Sequence, residues 1–155
     1  MLQRIQTIYL LVIVILSCVV LFSPIVGLTN TTEGLEYIVG CKGIFLRQQG
    51  GDVFQSSVWG LAAIAALVPV MALVTVFLYK KRSLQIRLSV VNMFLMAGFY
   101  ALLFVYVRLA NQDLHTDWNL KFVVILPLVN MVFNYLALRG VAKDEALVKS
   151  LDRLR

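Results

Sequence analysis

Few residues in this chain have the capacity for chemistry. His115 is the single histidine, and it sits between Asp113 and Asp117 with Arg108 nearby. One imidazole flanked by carboxylates suggests a weak metal site. A metal needs several ligands at defined geometry, and a solvated rim is the plainer reading of this cluster. A Ser-His-Asp triad would have to use the same His115, which lies outside the apolar runs. Cys18 and Cys41 are the full stock of thiols. Cys18 lies deep in an apolar run and Cys41 in a polar segment, so the Cα approach of about 7 Å that a disulfide needs is not met. Without a Cys-x-x-Cys motif a thiol–disulfide oxidoreductase is not expected. Cys18 reads as a small apolar packer. Cys41 reads as a free exposed thiol or as one that pairs between molecules. Gly-rich phosphate loops and metal-spaced His/Cys sets are absent from the sequence. The expectation is a non-enzyme with no metal and no cofactor.

The asparagines are the more informative polar groups. Asn130 and Asn134 stand at i and i+4, on one face of a helix. Asn92 sits at a matching depth in the preceding apolar run if the two run antiparallel. An amide in hydrocarbon seeks a partner, and interhelical polar pairs contribute about 0.6–2 kcal/mol. Asn92, Asn130 and Asn134 therefore read as a hydrogen-bonded staple between two helices. The functional alternative is a polar ligand pocket, with Gln3, Thr7 and Gln85 at its rim.

The elements that must position these residues follow from composition. The chain has 155 residues, 61% hydrophobic and 14% charged, with a mean hydropathy of +0.87. Soluble domains carry about 25% charged residues, so a soluble enzyme, a disordered tail and a disulfide-stapled module are excluded. A span needs about 20 apolar residues. Four runs qualify, at about residues 5–28, 57–79, 86–108 and 120–139. Their uncharged stretches, 5–32, 53–79, 88–107 and 122–138, hold no acidic or basic side chain, which disfavours proton relays and ion-coupled transport. The first run lacks a small-x-small cleavage site and reads as a retained anchor. Pro24, Pro69 and Pro127 fall in or beside the runs, and small residues such as Gly60, Ala62 and Ala66 form a packing face. The predicted fold is all-α: a single membrane domain, a four-transmembrane-helix bundle.

Basic residues set the orientation. Arg4, Lys80, Lys81, Arg82, Arg87, Arg139, Lys143, Lys149, Arg153 and Arg155 make ten of the fourteen, and all flank one side. Both termini are expected in the cytoplasm. The net charge of +6 is then a topology signal, and no basic face for nucleic acid is present.

The outer loop, residues 29–56, holds two extended runs around Gly40-Cys41-Lys42-Gly43, which predicts a small hairpin. Asn30-Thr31-Thr32 matches a glycosylation sequon. The cytoplasmic tail, residues 140–155, places Leu147, Leu151 and Leu154 at helical spacing. This predicts an amphipathic helix that lies on the membrane or docks a cytoplasmic or membrane protein.

The opening Met1-Leu2-Gln3-Arg4-Ile5-Gln6-Thr7-Ile8-Tyr9 and the ending Lys143-Asp144-Glu145-Ala146-Leu147-Val148-Lys149-Ser150, followed by Asp152-Arg153, resemble a family of small bacterial four-span inner-membrane proteins of unknown function. The resemblance covers the whole chain and implies an inner-membrane location. It implies no activity, cofactor or site residue. Claudin-like tetraspans share the outline of a larger first outer loop. That match is rejected, because their loop carries a Trp and a Cys pair, whereas here Cys41 is alone and Trp59 opens the second span.

The function expected is that of a non-enzymatic scaffold or accessory subunit. The alternative is a binder or carrier of a lipidic or small-molecule ligand within the helices. Oligomeric state is not legible.

Overall fold

Pro24 ends the first helix and begins the departure from an all-helical chain. The computed structural model describes residues 2–30, 35–48, 51–78, 81–114 and 117–152. Helix α1 covers Leu2–Phe22, and strands β1 (Pro24–Asn30), β2 (Leu35–Gly40), β3 (Gly43–Gln48) and β4 (Gly51–Ser56) follow it. Helices α2 (Trp59–Phe77) and α3 (Arg82–Leu114) come next, then strand β5 (Asp117–Leu120), a 3-10 turn (Phe122–Ile125) and helix α4 (Leu126–Asp152).

The expected all-α bundle with a small hairpin is corrected by the sheet. Five antiparallel strands lie in the order β4-β3-β2-β1-β5, so the fold is mixed α/β. The predicted hairpin is β2–β3, with Gly40 opposite Gly43. Strands β1, β4 and β5 have no expected counterpart. Residues 24–28, expected in the first span, belong instead to β1. Ile25, Val26 and Leu28 are all fully buried. A strand covered on both faces is a continuous apolar run, and its periodicity cannot be told from that of a buried helix. Proline at the first strand position costs the ladder nothing. Strand β5 comes from the short second loop and pairs Gly27 with Asn119 and Leu28 with Trp118. The Lys121 amide adds a bond to the Ile25 carbonyl.

The sheet covers the end of the helices that lies opposite the chain termini. Ile25, Leu28, Tyr37, Val39 and Ile44 from the strands share one apolar core with Val20, Leu61, Phe99, Leu103 and Val107 from the helices. A second core of Leu10, Ile13, Val68, Ala72, Met96 and Ala137 lies nearer the termini. Strand β4 is exposed at all six residues.

The helices are built inside out relative to a soluble protein. Ile8, Ile15, Phe94, Phe104 and Leu128 face outward, while Gln6, Ser17, Thr75, Gln85, Ser89, Asn92, Asn130 and Asn134 are buried. Water would penalise that arrangement on both counts. Lipid favours it, because tails solvate the apolar exterior and polar groups satisfy one another inside. All four helices are long and apolar enough to cross a membrane, and the protein is membrane-associated.

Candidate functional site

Along each helix one stripe at three-to-four-residue spacing turns inward. On α1 it is Gln6, Leu10, Ile13, Ser17 and Val20. On α3 it is Gln85, Ser89, Asn92, Met96, Phe99 and Leu103. On α4 it is Asn130, Asn134, Ala137 and Val141. The polar members of these stripes meet at separate levels.

Nearest the termini, Gln6 Nε2 donates to Asp144 Oδ2 at 2.9 Å. An Arg82 guanidinium nitrogen donates to the Asp144 carbonyl at 3.2 Å. Gln85 Nε2 donates to the Thr75 carbonyl at 2.9 Å, and the Thr75 hydroxyl bonds back to Met71 O at 2.7 Å. Gln6, Thr7, Arg82, Gln85 and Asp144 line a cleft here. Thr7 and Gln85, expected at the rim of a pocket formed by Asn92, Asn130 and Asn134, line this cleft instead, and none of the three asparagines does. The side chain of Gln3 lies outside the described residues.

One level up, Asn134 Nδ2 donates to the Ser89 carbonyl at 2.8 Å and ties α4 to α3. Higher still, Asn130 Nδ2 donates to Ser17 Oγ at 3.0 Å and ties α4 to α1. Asn92 stands one turn from Ser89 on α3. The three asparagines share the interior but do not bond one another. The Oδ1 atoms of Asn92, Asn130 and Asn134 are all buried without a hydrogen-bond partner. Around Asn130 the four helices leave a pocket lined by Ser17, Ala65, Val68, Met96, Phe99 and Pro127, among others.

Cys41 differs from its expectation as an exposed thiol. It is 4% exposed, and its Sγ donates to the Val20 carbonyl at 3.7 Å. Burial pushes the thiol from 9.0 up to about 11. Cys18 is the exposed cysteine. Among the described residues no group of three or more His, Cys, Asp or Glu could hold a metal. His115 lies outside the described residues, as do Thr31 and Thr32 of the sequon.

The tail is continuous with the last span. Helix α4 passes Gly140 without a break and runs to Asp152. Leu147 is 51% and Val148 43% exposed. Leu151 continues the helix, with its side chain outside the described residues, and Leu154 lies wholly outside them. Gln6, Ser17 and Asp144 were not singled out from the sequence as site residues. The signal that marks the first two was present: a polar side chain inside an apolar span belongs on the buried face.

No curated protein matches the chain. A family model described as a domain of unknown function (DUF4293) matches residues 2–154, and the chain belongs to that family.

Proposed function

We propose that this protein is a non-enzymatic scaffold or accessory subunit of a bacterial inner-membrane assembly. In this reading it holds a rigid outer sheet on one side and presents the end of α4 to a cytoplasmic partner. The observation that carries it is the bracing of α4. Asp144 is held from α1 by Gln6 and from α3 by Arg82, so α4 is tied to both helices at the point where the tail begins. Leu147 leads a row with Leu151 and Leu154 at i, i+4 and i+7, the spacing by which a helix lays an apolar face into a protein groove. Ten of fourteen basic residues flank the terminal end, which supports cytoplasmic termini and an extracytoplasmic sheet. The interior polar groups are amides and hydroxyls, which suits packing better than proton or group transfer.

Affinity purification from native membranes tests this. The full chain is compared with one ending at Glu145, which keeps the Asp144 grip, and with Leu147→Glu. A stoichiometric partner lost in both altered chains is expected. Equal recovery from all three would overturn the role of the tail.

A further inference from the structure

Strand β4 closes the sheet at the edge away from β5. Among the described residues it pairs with β3 alone, and all six of its residues are exposed. Its outer side therefore offers a row of backbone N–H and C=O groups to which another extended segment can add. The rows of side chains that cross the sheet define what such a segment must carry, because residues directly opposite on neighbouring strands project to the same face. One row runs Gly27, Ile38, Phe45 and Phe54. It ends in an edge-to-face contact of the two rings, 5.7 Å between centroids, with Phe54 57% exposed. On the same face a second row runs Glu36, Arg47 and Asp52. Arg47 Nη1 bonds Glu36 Oε2 at 3.3 Å, which leaves the Asp52 carboxylate with no ion-pair partner among the described residues. On the other face Leu28, Tyr37 and Leu46 lead to Val53, 48% exposed although Leu28 and Tyr37 are buried in the core. Each row thus reaches β4 unfinished, at a ring, a carboxylate and an aliphatic side chain.

We propose that the free edge of β4 is a docking site for an extended segment of a partner protein that reads apolar-apolar-basic and pairs antiparallel, the more stable sense. The first apolar side chain continues the row of Phe45 and Phe54. The second continues the row of Leu46 and Val53. The Lys or Arg faces Asp52, where opposite charges across strands attract and like charges repel. On its inner edge β4 already meets this pattern, since β3 sets Phe45, Leu46 and Arg47 against Phe54, Val53 and Asp52. The register shift beyond Phe45 limits regular pairing to the Gly51–Phe54 stretch. The β4 of a second copy does not match, because Gly51–Ser56 holds no cation to set against Asp52. This edge lies at the end of the helices opposite the α4 tail, so the two docking surfaces stand or fall separately.

Peptide binding to the full chain in lipid nanodiscs tests the site. The probe is a fluorescent synthetic copy of Gly43–Gln48, with empty nanodiscs as the reference. Saturable binding above that reference is expected, with the β4 amides slowed in hydrogen exchange when peptide is present. Asp52→Lys is expected to weaken binding about fivefold, and the peptide carrying Arg47→Glu is expected to recover that loss on the same variant. Should Asp52→Lys disturb the sheet, Asp52→Asn removes the charge at equal size and is expected to weaken binding about twofold. Binding no greater than to empty nanodiscs would overturn the proposal and leave the edge to lipid. Equal binding by the native chain and the folded variant would overturn it as well. So would a dimer whose β4 amides are protected before peptide is added, since the edge would then belong to a second copy.

Discussion

Gln6 Nε2 donates to Asp144 Oδ2 at 2.9 Å, a bond between side chains 138 positions apart that closes the first helix onto the last. It lies just where α4 leaves the apolar region. Gly140 makes the approach possible, because a Cβ there would stand 3.0 Å from Gln6 Nε2 and 3.1 Å from its Cγ.

The Gln6–Asp144 bond is expected to show as coupling. Gln6→Ala, Asp144→Ala and the double variant, unfolded reversibly in detergent, should give an interaction energy of about 0.5–2 kcal/mol. Asp144→Asn keeps an acceptor and should retain most of it. Strict additivity of the two alanine variants would show that the bond contributes nothing.

Asn134 is expected to act as a staple between α3 and α4 through the Ser89 carbonyl. Asn134→Leu should lower unfolding stability by about 0.6–2 kcal/mol. The partner differs from the one suggested by the sequence, since Asn92 does not bond to it. Unchanged stability in Asn134→Leu would remove the staple.

Cys41 is expected to resist alkylation until the sheet opens. Its thiol is raised from 9.0 to about 11 by burial, so the reactive thiolate is scarce at neutral pH. The buried thiol is neutral in the folded chain, while an unfolded chain ionises near 9.0. The associated stability is therefore complete below about pH 9 and is lost as pH rises toward 11. A water-soluble maleimide at pH 8 should label Cys41 in the native protein far more slowly than in denaturant. Equal rates would contradict its burial.

Gly43 and Gly51 are expected to respond differently to the same change. Both hold positive φ, +148° and +131°, so alanine strains either backbone by about 1–3 kcal/mol. At Gly43 the new Cβ would also stand 2.8 Å from the Ser56 carbonyl oxygen and 2.8 Å from the Phe54 ring, while at Gly51 nothing lies within 4 Å. Gly43→Ala should therefore lower the melting temperature clearly more than Gly51→Ala. Similar losses would argue against the tight β3–β4 pairing at this end.

The sequence alone determined the apolar architecture. Hydropathy is a local property, so four uncharged runs were enough to locate helices able to cross a membrane, and charge was enough to predict an orientation. It also marked inward faces, because an amide such as Asn92, Asn130 or Asn134 in a lipid-embedded helix has nowhere to go but inside. The β2–β3 hairpin was legible for a similar reason, since its turn and both arms are neighbours in the chain. Tertiary structure alone decided the rest. Whether Ile25–Leu28 prolongs a helix or becomes a strand depends on a partner, Asn119–Leu120, some ninety positions away, and an apolar run reads the same in either state. Which acceptors find donors is likewise settled only by packing. Asn134 meets the Ser89 backbone and Asn130 meets Ser17, because the helices cross at those depths, and a single chain of letters carries no crossing angle.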